Sequence, residues 1–323
     1  MTTFKGIRGT AIQVVSSDPT YPETGQIWYN SSSGTLKGYK TVNAWSSGGN
    51  LNTARYFLTG TGTQTATVAF GGYTGANSAA TETYNGSSWT SQPNMAQAAY
   101  GRGATGTQTS ALAFGGQPSG GTTGATELWN GSSWTTSPAS MNTARYSHAY
   151  AGTTQTAAVA AAGYAPPGDT ISNKSEFWNG TSWTNGPNLN TSRAYVAGSG
   201  AGTPTATIVF GGNGPNPVGT TATESYNGTS WTTVNSLNTA RSSLAGAGTQ
   251  TASLAFGGSG PSGATELWNG TSWTSNPTGL ATPRTTLGGS GIQTSALAFG
   301  GGPPTTAATE EWNGLATQTI SVS

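Results

Sequence analysis

Short apolar runs stopped by paired glycines set the pattern of the chain. Residues 65–70 read Thr-Ala-Thr-Val-Ala-Phe before Gly71-Gly72, a small and β-prone stretch without helical spacing, which predicts a strand. Phe-Gly-Gly recurs at Phe70, Phe114, Phe210, Phe256 and Phe299, and a degenerate copy stands at Ala161, Ala162 and Gly163, in steps of 43 to 49 residues. Ahead of each copy lies a segment of the Leu-Asn-Thr-Ala-Arg kind, beginning at Leu51, Met95, Met141, Leu189, Leu237 and Leu280. Behind each comes a Glu, an aromatic and Asn-Gly: Glu82 with Tyr84, Glu127 with Trp129, Glu176 with Trp178, Glu224 with Tyr226, Glu266 with Trp268, Glu310 with Trp312. A further Trp closes five of the repeats, at Trp89, Trp134, Trp183, Trp231 and Trp273.

Each repeat therefore reads as four short strands, the last two joined by an Asn-Gly hairpin for which a type I′ turn is expected. One such sheet cannot bury both faces, so the repeats must stack, in a line or in a ring. The sixth repeat has no Trp strand after Trp312, but Trp45 stands before Leu51 at the spacing that Trp89 has before Met95. A strand near the start that completes the last sheet makes sense only if the array closes on itself. A linear array would leave the strand around Trp45 unpaired.

Arg before the first strand, Gly-Gly after the second, Glu-x-Tyr/Trp on the third and Trp opening the fourth resemble the kelch repeat over residues 38–314. The resemblance implies a β-propeller used as a binding or structural platform. The gap from Tyr84 to Trp89 is shorter than in the usual kelch unit, so a tighter outer hairpin is expected. The stretch Gly25-Gln26-Ile27-Trp28-Tyr29-Asn30-Ser31-Ser32-Ser33-Gly34-Thr35-Leu36-Lys37, followed by near-identical Gly/Ser/Thr-rich repeats, resembles structural proteins of tailed bacteriophages. The expected fold is all-β: a six-bladed kelch-like β-propeller closed by an N-terminal strand, with residues 1–24 as a short anchoring arm and residues 25–323 as the propeller.

Composition narrows the function. Among 323 residues there are 50 Gly and only 7% charged side chains, with a net charge of +1, which offers no electrostatic footprint for nucleic acid. No run reaches the ~20 apolar residues of a membrane helix, and the first residues lack a signal-peptide apolar stretch. Without Cys, neither disulfides nor thiolate chemistry can form, and the sole histidine, His148, cannot serve a repeated catalytic site. No enzyme activity and no cofactor or metal are expected.

Eleven of the 21 charges fall at two repeat positions: Arg55, Arg145, Arg193, Arg241 and Arg284, and the six Glu named above. Ala99 replaces the Arg in the second repeat, with Arg102 nearby. Two uses are open. Each Arg can pair with a Glu of its own or the adjacent blade, or several can line a channel mouth and receive an acidic group, as the kelch resemblance implies. The segments after Gly-Gly, 73–80, 117–125, 164–175, 213–222, 259–264 and 302–308, vary in length and should share one rim, the expected contact face. Tyr73, Tyr164, Asp169 and Lys174 lie in them as candidate binding residues, the tyrosines able to stack on sugar rings. Phe→Ala at Ala161 predicts that the third repeat is the loosest or is propped by the 164–175 loop.

The arm, with residues 4–15, is expected to dock on another protein by adding a strand. These features together predict a virion structural protein, oligomeric in the particle, held to other virion proteins by its arm and presenting the propeller to a host surface glycan or protein. A secreted or surface carbohydrate-binding propeller is the alternative.

Overall fold

The computed structural model describes residues 12–19, 26–215 and 219–319, and these contain strands and turns but no helix. Its contacts form two compact units, Ala44–Trp312 and Met1–Asn43 with Asn313–Ser323. The expected boundary at residue 24 and most of the arm lie outside the described residues.

In the larger unit each repeat is a four-stranded antiparallel sheet, an arrangement compatible with a β-propeller. The first repeat pairs Thr59–Thr63, Ala66–Phe70, Thr81–Tyr84 and Trp89–Gln92 in that order. Alternation is muted in the second strand: Val68, Ala69 and Phe70 are all buried, because both faces of the sheet are covered by neighbours. The outer strands are joined through Asn85-Gly86 as expected, but not by a type I′ turn. Four residues separate the paired Tyr84 and Trp89, only Gly86 has positive φ (92°), and the Asn85 Oδ1 accepts from the Ser87 and Ser88 N–H groups. The side chain caps the loop, so a two-residue turn is not needed.

The first strands run side by side from repeat to repeat: Thr59–Thr63, Gly103–Thr107, Ala149–Thr154, Ala197–Gly198, Ala245–Gly248 and Gly288–Ile292, and the last lies against the first. Trp45 fills the fourth-strand place of the sixth repeat. Its ring lies 5.4 Å from that of Trp312, and Gly48 N–H donates to the Thr309 carbonyl at 2.9 Å.

Three ties recur at the joints between repeats. A Phe packs on the Trp of the next repeat, as Phe70 on Trp134, Phe114 on Trp183, Phe210 on Trp273, Phe256 on Trp45 and Phe299 on Trp89, with ring centroids 4.8–5.3 Å apart. The Trp indole N–H donates to a Thr of the preceding repeat, as Trp89 to Thr309, Trp134 to Thr81 and Trp45 to Thr265. A Gln from the first hairpin reaches back to two carbonyls of the preceding sheet, as Gln64 to Ala296 and Trp312. The third–fourth joint departs from all three. Ala161 replaces Phe, Ser175 replaces Thr and donates to the Pro187 carbonyl, and Pro204 occupies the Gln place. Phe177 compensates in part, its ring 5.2 Å from Tyr226.

Ala162 also stands where the other repeats carry the first glycine, and it takes the same left-handed φ of 65°. A Cβ at Gly300, in that place, would sit 2.6 Å from the Arg55 carbonyl.

At the Gly-Gly end, one residue per repeat turns left-handed: Phe57, Gly101, Ser147, Tyr195, Ser243 and Thr286, with φ between 50° and 64°. Each donates its N–H to the carbonyl of its counterpart one repeat earlier, and Phe57 donates to Thr286, so the six bonds of 2.8–3.0 Å return to their start. Left-handed φ costs a non-glycine residue about 1–2 kcal/mol, and these shared bonds hold it in place. Near the opposite ends of the same strands lies a cavity of about 630 Å³ lined by Gln64, Gln108, Tyr150 and Ile292 among others.

In the smaller unit Gln13–Val15 runs parallel to Ile27–Asn30, which pairs with Thr35–Ser47. Asp18 accepts from Lys37 and Asn30 at 2.7 Å and from Trp28 at 3.0 Å; the Lys37 bond leads in holding its carboxyl down at about 2. Val14 and Tyr29 are register partners and stand exposed, with Ile12 just ahead of the strand.

Candidate functional site

The loops after Gly-Gly are fixed at their bases by the repeat arginines. Arg55 donates to Glu82 at 2.9 Å and to the carbonyls of Gly71 and Ala80, the two ends of the 73–80 loop. The other Glu82 oxygen accepts the Asn52 N–H at 2.7 Å. Arg145 with Glu176, Arg193 with Glu224, and Arg241 with Glu266 repeat this at 2.7–3.0 Å, and Arg284 meets Glu310 at 2.9 Å. In the second repeat Arg102, three residues beyond Ala99, reaches Glu127 at 3.1 Å. Pairing is thus within the repeat. All five arginines proposed for a channel mouth are 0–1% exposed, so the structure places them in the interior, facing Glu. Burial pulls each guanidinium below its ordinary value, and the partner Glu opposes it.

Above these bases the structure brings seven aromatic rings together. The residue after the repeat Arg bridges through its backbone to the residue after Gly-Gly, which sets Tyr56 beside Tyr73 and Tyr146 beside Tyr164. Their ring centroids are 5.4 and 5.2 Å apart. Tyr100 touches Tyr73, Tyr146 and Phe57; Tyr195 touches Tyr164 and Phe57; Phe57 touches Tyr56, with separations of 5.3–6.0 Å. The left-handed turn after each Arg aims Phe57 and Tyr195 into this cluster. All are half-buried except Tyr146, which is buried.

Three loops wall this floor and tie to one another. Asn77 donates to the Gln117 carbonyl at 3.0 Å, and the Thr122 hydroxyl donates to Gln117 Oε1 at 2.8 Å and to Asp169 at 3.4 Å. Burial first, then Asp169 and neighbouring tyrosines, pushes the Tyr100 and Tyr146 phenols up; Tyr195, with burial again leading and Tyr164 next, rises to about 12. The phenols are therefore neutral donors at physiological pH. The 164–175 loop carries a short hairpin, Tyr164–Ala165 with Thr170–Ile171, and Asp169 at its tip is exposed with φ 51°. Lys174 exposes its side chain, while its carbonyl accepts from Arg145 at 2.7 Å.

Tyr73, Tyr164 and Asp169 thus gather in one place, Lys174 stands on the same loop, and the arginines lie beneath. Tyr56, Phe57, Tyr100, Tyr146 and Tyr195 were not singled out from the sequence. The available signal was their register: Tyr56, Tyr100 and Tyr146 occupy one position of the first three repeats. His148 is buried against Phe114, and desolvation, with Arg145 adding, drives its imidazole down to about 3.

Comparison with known protein families and with curated protein sequences returned no match.

Proposed function

We propose that the chain is a non-enzymatic structural protein of a tailed-bacteriophage virion, built as a six-bladed β-propeller that serves as a recognition platform. The observation that carries this reading is how the side chains are used. The repeated charges are consumed in the interior as Arg–Glu pairs, while aromatic residues gather at one loop face. A rigid scaffold with a decorated rim suits binding. The head-to-tail hydrogen bonds of the six left-handed residues, and Trp45 beside Trp312, support six blades in a closed circle.

The smaller unit supports attachment. Of the four large apolar side chains exposed among the described residues, Ile12, Val14 and Tyr29 belong to it. Two of them stand at Gln13–Val15, a strand at the edge of its sheet, which is a template for a further strand from another virion protein.

Mass spectrometry and cryo-electron microscopy of purified particles of a phage encoding the chain test the reading. The chain is expected in the particle at a fixed stoichiometry, with six-bladed density. Its absence from particles that are complete and infectious would refute it.

A further inference from the structure

We propose that the tyrosine floor of repeats one to four is a carbohydrate site, taking a hexose oligosaccharide several rings long, with Asp169 accepting hydrogen bonds from its hydroxyls. The inference rests on the reading of the molecule as a recognition platform and names its ligand.

The fold does not require these rings. At the positions that hold Tyr56, Phe57 and Tyr73 in the first repeat, the fifth holds Ser242, Ser243 and Ser259, and the sixth holds Thr285, Thr286 and Gly302. The backbone there is the same: Ser243 and Thr286 take the left-handed turn, and Thr285 bridges to Gly302. Since two repeats make this geometry with small side chains, the aromatic residues of the others answer to something outside the scaffold.

The chemistry of the floor selects a ligand that is apolar on one face and hydroxylated at its edges. Six of the seven rings are tyrosines, which offer a flat face for stacking and a phenol for hydrogen bonding. A pyranose ring presents both partners. The contacts extend over four repeats, from Tyr56 through Tyr73, Tyr100, Tyr146 and Tyr164 to Tyr195, whereas an alkylammonium needs a single cage of rings. Length therefore favours a chain of sugars.

Asp169 supplies the acceptor. Among the described carboxylates, Asp18 and the six repeat Glu are in ion pairs, and Glu311 accepts the Tyr84 hydroxyl at 2.6 Å. Asp169 is exposed, and its printed partner is the Thr122 hydroxyl at a long 3.4 Å. Bonds from Asn77 and Thr122 between the loops hold the wall in place before a ligand arrives, which lowers the ordering cost of binding.

An array of hexose oligosaccharides probed with the full chain, followed by calorimetric titration of each hit, tests this. Oligosaccharides of three or more sugars should bind at least about tenfold more tightly than their monosaccharides. Asp169→Asn and the pair Tyr73→Ala, Tyr164→Ala should each weaken binding about tenfold, while Asp169→Asn leaves the melting temperature where it was. No saturable binding of any sugar, equal affinity in both variants, or equal displacement of the sugar by choline would overturn the site. Particle composition separates the two readings: a chain found in virions that binds no sugar refutes the site alone, and a sugar-binding chain absent from virions refutes the virion role alone.

Discussion

A buried guanidinium is tolerable only while its charge is answered, and Glu224 answers Arg193 at 3.0 Å while its second oxygen takes the Asn190 N–H. Glu224→Gln keeps an acceptor for that N–H but leaves Arg193 uncompensated, which should cost about 3–5 kcal/mol. Urea titration will measure it, and adding Arg193→Met to Glu224→Gln should return part of the loss. His148 behaves differently, because it has no counter-charge. Its imidazole stays neutral in the fold down to about 3 but would protonate in the unfolded chain near the ordinary 6.5. The unfolded state therefore binds the extra proton between those values, so stability is full above pH 6.5 and falls by roughly 1.4 kcal/mol per unit as pH drops toward 3. Leu58, Leu244 and Leu287 fill the equivalent place elsewhere, so His148→Leu should abolish this contribution to the acid slope in denaturation at pH 4 to 7. The Arg–Glu pairing was legible in the sequence because both residues recur in register. The tyrosine floor was only half legible, since its members are adjacent through a turn that no local motif announces.

Among the six joints, the one between repeats three and four carries the fewest ties: no Phe on Trp231, Ser175 turned to Pro187, and Pro204 where the other repeats place a reaching Gln. Hydrogen exchange should find Ala197–Gly198 and Thr207–Phe210 the least protected of the inner strands. Pro204→Gln together with Ser175→Thr should raise stability by about 1 kcal/mol by restoring side-chain hydrogen bonds across the joint, read as a higher melting temperature. Ala161 announced this weakness from sequence. Its partial remedy, Phe177 against Tyr226, was not readable, because it depends on which face of the third strand meets the next repeat. The hairpin at each Asn-Gly was readable, but its turn type was not, since the Asn side chain rather than backbone handedness closes the loop.

The unit Ala44–Trp312 holds all six repeats together with Trp45, so a chain beginning at residue 44 should keep its melting transition, whereas one beginning at residue 51 loses Trp45 and should be destabilised by at least about 3 kcal/mol. Calorimetry on the two truncations decides it. The place of Trp45 followed from counting Trp strands against repeats, which is why it was visible without coordinates; the left-handed residues that link the repeats at the Gly-Gly end were not, because Phe, Ser, Tyr and Thr at positive φ leave no compositional trace. Their linkage has a consequence for how the protein fails. A stack of repeats with two ends frays from whichever end is weaker, but a necklace of peptide bonds clasped from Phe57 to Thr286 offers no loose bead. Heat must tear it open in the middle, and once torn every remaining repeat has lost a neighbour, so the passage from intact to ruined should be abrupt, with little in between.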